Sequence, residues 1–264
     1  MTTATVTLRS RSRVGDAVRS EWTKLWTVRS SGLNILSALI LTGLLGLQFG
    51  LGTAYDMDHP EPGQAVGPQP VGEFGISAVL ILQVIVAAFA LLTVTSEYAT
   101  GSIRSTLQWT PVRRNVVQAK AGVLTPVLFA YGLVMATVAA LAGGLLAGRW
   151  ADWDARTLVI DLLSVAFYLT AAGLFALGIA WIIRSTAGTL TAAFLLLMVL
   201  PLMLGQSGLR WLVWIAALLP GGAGQNFLTN TTDPISPTLS VVVLLAWVAA
   251  ALVLGSRILS RRDA

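Results

Sequence analysis

Six stretches of this chain, residues 32–54, 75–95, 121–148, 158–183, 187–204 and 238–258, run on with almost no charged side chain. Each is about the length an α-helix needs to cross a hydrocarbon core about 30 Å thick. Backbone amides and carbonyls find no water in that core, so only helices or a closed barrel satisfy them there, and runs this long predict helices. The rest of the composition agrees. The 264 residues are 55% apolar and 11% charged, with a mean hydropathy of +0.77, against roughly a quarter charged in a soluble domain. The expected fold class is an all-α integral membrane protein with six transmembrane helices. That leaves a polar segment at 1–31, a membrane domain at 32–258 and a short tail at 259–264, with little expected for a separate soluble domain.

No cysteine is present, which excludes structural disulfides, thiolate metal sites and cysteine nucleophiles. The polar N-terminal thirty residues lack the pattern of a cleavable signal, so the first span is expected to stay as an anchor. Between the fifth and sixth spans lies Leu209 to Leu219, eleven residues and too short to cross, followed by Pro220, Gly221 and Gly222. A re-entrant or interfacial helix over 209–225 fits; a single broken helix continuous with the fifth span is the alternative.

Positively charged loops are retained on the cytoplasmic side. Fourteen of the seventeen basic residues fall in alternate loops: Arg9, Arg11, Arg13, Arg19, Lys24 and Arg29 before the first span, Arg104, Arg113, Arg114 and Lys120 in the second connection, then Arg184, Arg257, Arg261 and Arg262. The other side holds Arg149, Arg156 and Arg210, and its first loop carries Asp56, Asp58, Glu61 and Glu73 instead. Both termini are therefore expected in the cytoplasm, with the short segment before the sixth helix on the outer side. The net charge of +5 reflects this topology and the anionic headgroups of the inner leaflet, not nucleic acid. Val14, Val18, Trp22, Leu25 and Trp26 recur at helical spacing before the first span. They read either as an interfacial helix or as a basic flank with tryptophan anchors.

Catalytic chemistry finds little footing. A phosphate-binding loop needs Gly-Lys followed by Ser or Thr, but Lys24 follows Thr23 and Lys120 follows Ala119. The one histidine, His59, sits in the acidic loop DMDHPEP, which reads as solvated loop more readily than as a metal site. No catalytic residue, metal site or cofactor is expected in this chain. Ion-coupled carriers generally place an ionisable group inside the bundle, at an insertion cost of about 2.5–3.5 kcal/mol; the span centres carry none. Asp161, one turn inside the fourth span, is expected to snorkel outward or pair with Arg156. Gln83, mid-way along the second span, is either an interhelical hydrogen bond or a substrate contact. Gly46-x-x-x-Gly50 and Gly144-x-x-x-Gly148 allow close helix approach, within one bundle or between two.

The polar connection 96–120 is the longest on the basic side. Ser96 is expected to cap a short amphipathic helix starting near Glu97, with Ile103 and Leu107 on one face, Gly101 as a bend and Pro111 as a break before Arg113 and Arg114. These residues, Glu97-Tyr98-Ala99-Thr100-Gly101-Ser102-Ile103-Arg104 followed by Pro111-x-Arg113-Arg114 and Lys120, resemble the first cytoplasmic loop of ABC-2 type transporter permeases. Glu21-x-x-Lys24-Leu25 before the first span and Leu219-Pro220-Gly221-Gly222-Ala223-Gly224-Gln225 before the sixth are similar to that family's pattern, and the resemblance covers essentially the whole chain. Ala99 departs from it, standing where relatives often carry a polar or basic residue.

The resemblance implies a permease subunit of an ATP-driven bacterial exporter in the cytoplasmic membrane, with energy from a separate ATPase. It implies two copies of that ATPase, which holds ATP and magnesium, and a second permease subunit, most simply the same chain. Carried over by position, Glu97, Gly101 and Arg104, flanked by Arg113 and Arg114, would form the ATPase-coupling helix. Glu21, Trp22 and Lys24 would lie in a connecting helix at the inner membrane face, and Pro220, Gly221 and Gly222 in an outer gate. The first and fifth spans would lie near the dimer axis, the Gly46/Gly50 face among them. The cargo would be an amphipathic small molecule, lipid or peptide. The alternative function is a membrane-embedded sensor or scaffold that regulates an ATPase without transport.

Overall fold

The computed structural model describes residues 14–27, 29–63, 66–103, 105, 108 and 113–261. Arg104, Leu107 and Pro111 of the expected coupling segment lie outside them, as do Arg9, Arg11, Arg13 and Arg262. Helices dominate: α1 (Val14–Thr27), α2 (Arg29–Asp58), α3 (Gly72–Ala99), α4 (Arg113–Ala147), α5 (Ala155–Ile183), α6 (Thr186–Phe194), α7 (Leu200–Gly205), α8 (Arg210–Leu218), α9 (Pro220–Leu228) and α10 (Pro237–Arg261). The six predicted spans correspond to α2, α3, α4, α5, the α6–α7 pair and α10, all long and apolar enough to cross a membrane. This is the architecture of a multi-pass, all-α membrane protein.

α5 is the hub, packing on α3, α4 and α10 with most of its surface buried, while α2 leans on α4 at the periphery. Small residues set that last distance. A Cβ on Gly46 would stand 2.6 Å from the Ala139 carbonyl oxygen, and one on Gly50 would overlap the Gly143 carbonyl. The Gly46/Gly50 face is therefore filled by α4 of the same chain: of the two readings, packing within one bundle is the one these glycines serve here, and not the face toward a dimer axis. What α2 leaves uncovered is its opposite face, Leu33, Leu36, Ile40, Leu44 and Leu51, each more than half exposed.

Successive spans alternate in direction, so the basic connections gather at one end of the bundle and the acidic loop at the other. At the basic end, Arg113 donates to the Leu259 carbonyl at 2.8 Å, joining the start of α4 to the end of α10. At the acidic end, Asp58 accepts from Trp150 Nε1 at 2.9 Å and pairs with Arg149. The loops there are tied by a two-residue parallel ladder, Gln69–Pro70 beside Ala151–Asp152. Asp154 caps α5 by accepting from the Thr157 amide at 2.8 Å, as expected of a carboxylate at a helix start.

Two local expectations fail. Ser96 does not begin a helix; it lies in the last turn of α3, where its hydroxyl donates back to the Leu92 carbonyl at 2.6 Å. Nothing between Gln83 and Thr100 breaks the helix, and Gly101, at φ +74°, is what ends it, in the left-handed conformation that favours glycine. Asp161 makes no ion pair with Arg156 among the described residues; its carboxyl instead packs against Gly72 at the start of α3, where a Cβ would overlap it.

Candidate functional site

α1 is amphipathic, and it lies across the basic end with Leu25 in the core and Trp22 half exposed. What holds it there is charge. Glu21, Glu97 and Lys120 are respectively 4%, 8% and 3% exposed, an arrangement that survives only if every charge is paired. Lys120, in the second turn of α4, donates to Glu21 Oε2 at 2.5 Å, to Glu97 Oε1 at 3.0 Å and to the Thr93 carbonyl at 3.0 Å. Lys24 donates to Glu21 Oε1 at 2.7 Å and to Glu97 Oε1 at 3.2 Å. Two carboxylates and two ammoniums thus interlock α1, the end of α3 and the start of α4.

Burial pushes the Glu21 carboxyl up, but the adjacent Lys120 ammonium, then Lys24, outweigh it and bring the carboxyl below its ordinary value. For Lys24 burial acts downward, and the hydrogen bond and charge of Glu21, with Glu97, turn the shift upward. Both directions favour the ionised forms of Glu21 and Lys24, as their salt bridges require.

The connection between α3 and α4 is anchored at both ends. Glu97 lies in the last turn of α3 and Lys120 in the second turn of α4, and the two are bonded to each other and to α1. Ile103 is buried in the main core and pins the loop's first half, whereas Arg114 is exposed and Arg113 half-buried. Of the expected coupling residues, Glu97 joins the cluster, Gly101 terminates α3, Arg113 and Arg114 flank the entry to α4, and Arg104 lies outside the described residues. Glu21 and Lys24 join the cluster from α1, while Trp22 faces outward. Lys120, which the sequence shows only as the end of the loop pattern, is the member that was given no role in the site. Its signal was present: a lysine set among Val116, Val117, Ala119 and Ala121 has no water to face on that side of a helix.

No protein-family model matches the sequence, and no curated protein matches it.

At the opposite end the fifth span is broken. Pro201 has no amide to offer the Leu197 carbonyl, and the helix widens into a π turn over Leu195–Val199, a defect characteristic of prolines and of functional sites. A Cβ on Gly221 would collide with that same Leu197 carbonyl, and one on Gly222 with the Ala216 carbonyl. Pro220, Gly221 and Gly222 are all buried at the start of α9, while α8 turns Trp211, Trp214 and Leu218 outward. Leu219 separates two short helices here, and Trp247 of α10 ties the end of the first by donating to the Leu218 carbonyl at 2.8 Å. A Cβ on Gly224 would overlap the Tyr168 ring, whose hydroxyl donates to Gln83. Gln83 is fully buried in that bond between α5 and α3. Between α3, α7, α8 and α9 lies a cleft of about 540 Å³, lined by Ile76, Leu80 and Val213 together with Ser77, Gln225 and the Asp233 carboxylate. Its size and mixed lining suit a small amphipathic ligand.

Proposed function

We propose that this chain is the permease subunit of an ABC-2 type exporter, with the basic end in the cytoplasm and a separate ATPase docked on the 96–120 loop. The observation that carries the reading is the buried cluster of Glu21, Lys24, Glu97 and Lys120. A loop whose two ends are bonded to each other and to an interfacial helix transmits a push as a unit, and ionic geometry tolerates little slack. A surface loop without mechanical duty needs no such buried ionic base. The distal cleft, the π turn and the glycine-packed α9 supply, in the same reading, the outer part of the path and its gate, with α8 and α9 as the re-entrant segment.

The exporter works as two permeases, most simply two copies of this chain, and two ATPases. ATP and magnesium belong to the partner, and the cargo is amphipathic, since the cleft offers apolar side chains beside amides, hydroxyls and the Asp233 carboxylate. The test is reconstitution with the ATPase that copurifies from native membranes. Substrate-stimulated hydrolysis with ATP-dependent movement of cargo is the expected result. A stable complex in which hydrolysis ignores every cargo offered would instead favour a sensor or scaffold.

A further inference from the structure

At the basic end, beside the charge cluster and separate from it, a second polar group has no counterpart. Arg184 joins α5 to α6 in the left-handed conformation, φ +62°, and its guanidinium lies 5.2 Å from the centroid of the Tyr98 ring. Its Nε and Nη2 are both buried without a hydrogen-bond partner. Those two nitrogens form one edge of the guanidinium, the edge that grips a carboxylate or phosphate with two parallel bonds. The Tyr98 hydroxyl is buried and unpartnered too, and so is Nε1 of Trp181, which meets the Tyr98 ring edge-on at 6.2 Å. Trp181 and Thr189 are fully buried and Thr95 nearly so, and the Thr95 and Thr189 hydroxyls, on the neighbouring turns of α3 and α6, are likewise unbonded.

The chemistry of this set names its ligand. Arginine and tryptophan nitrogens only donate, and the three hydroxyls can donate. What the group lacks is an acceptor, and the arginine requires that acceptor to be negative. Among the described residues no side chain supplies it. Glu97, one residue from Tyr98, is engaged by Lys24 and Lys120, and the other nearby charge is the Arg113 guanidinium. The N-terminus of α6, capped by Ser185, adds a positive dipole end directly after Arg184. Ile183 on one side is 39% exposed and apolar, as befits a group at the boundary between headgroups and acyl chains. The anion most abundant at that depth beside a basic protein surface is a phospholipid phosphate.

We infer that Arg184, Tyr98 and Trp181 form a site for the phosphate of an anionic phospholipid in the leaflet at the basic end. Occupancy would brace α3, α5 and α6 against one another next to the loop that the cluster anchors. The site needs no ATPase and does not depend on the transport reading.

The test is thermal unfolding of the delipidated full chain in a neutral detergent, with dioleoyl phosphatidylglycerol, dioleoyl phosphatidylcholine or inorganic phosphate added. Phosphatidylglycerol should raise Tm more than phosphatidylcholine does, and inorganic phosphate should do little. Arg184→Gln should abolish that preference, and Tyr98→Phe, which keeps the ring and removes the hydroxyl, should reduce it. Native mass spectrometry should find phosphatidylglycerol retained on the wild-type chain and lost from Arg184→Gln. Equal stabilisation by both lipids, a preference undiminished in both variants, or full stabilisation by inorganic phosphate alone would overturn the assignment. If Arg184→Gln does not fold, the Tyr98→Phe comparison decides alone.

Discussion

Lys120 and Glu21 stand 99 residues apart in sequence, yet their charged atoms meet at 2.5 Å with both side chains almost wholly buried. Each is the other's answer to desolvation. The pair welds α1 to the start of α4, and Glu97 and Lys24 complete the weld on either side.

Removing Lys120 should therefore do more harm than removing an exposed lysine. Lys120→Met takes from Glu21 and Glu97 the buried ammonium they share, and breaking a buried pair in this way costs about 3–5 kcal/mol. Glu21→Gln combined with Lys120→Met should cost less than the two single changes added together. Thermal unfolding of the four proteins in neutral detergent provides the cycle; strict additivity would mean that the pair is not coupled.

The cluster also sets a pH window. Glu21 titrates below its ordinary value in the folded chain, so its contribution is present above the unfolded pKa of 4.5 and is lost as pH falls through the lower folded value. Lys24 titrates above its ordinary value, so its contribution is present below 10.5 and is lost as pH rises through the higher folded value. Tm should be flat between those limits and fall on the acid side, and Glu21→Gln should flatten that acid fall. An acid limb of the same depth in Glu21→Gln would remove Glu21 as its source.

The packing of α9 predicts intolerance to any side chain at Gly221 and Gly222. Overpacking of this kind typically costs about 1–3 kcal/mol, and here the obstacles are backbone carbonyls that cannot swing aside. Gly221→Val and Gly222→Val should impair transport while leaving ATPase association intact, since the distortion is confined to the far end of the bundle. Normal export by both would eliminate the gate.

Gln83 has two readings that kinetics can separate. As an interhelical bond, its loss in Gln83→Leu should match that of Tyr168→Phe, at about 0.6 kcal/mol and at most about 1.7, with KM for cargo unchanged. A raised KM in Gln83→Leu but not in Tyr168→Phe would show that the amide touches cargo.

The six spans were legible because membrane-length apolar runs have few alternative solutions. Their ends were less so: α4 begins at Arg113, eight residues before the apolar run at Ala121, because Val116, Val117 and Ala119 already bury one face of a helix whose other face is polar, with Arg114 and Gln118 exposed. Ser96 was misread because serine caps helices in general, and only the continuity of α3 shows its hydroxyl turned back on its own helix. The cluster's members could be seen singly, but not their meeting. Glu21 and Lys120 come together only through the packing of α1 on α4, which no local pattern encodes. The glycines before the sixth span were visible as a motif, whereas the Leu197 carbonyl that requires Gly221 emerges only once Pro201 has opened the helix.

The central claim is that the 96–120 loop is the seat of an ATPase. Arg114, exposed beside the anchored base, lies outside the buried cluster, so Arg114→Glu should leave the fold unchanged. The decisive measurement is quantitative copurification from native membranes of the wild-type chain and of Arg114→Glu, with bound proteins identified by mass spectrometry. The account predicts an ATPase bearing a phosphate-binding loop in equal amount with the wild-type chain and much reduced with the variant. A wild-type chain that purifies without any ATPase, or an ATPase retained equally by both, would contradict it.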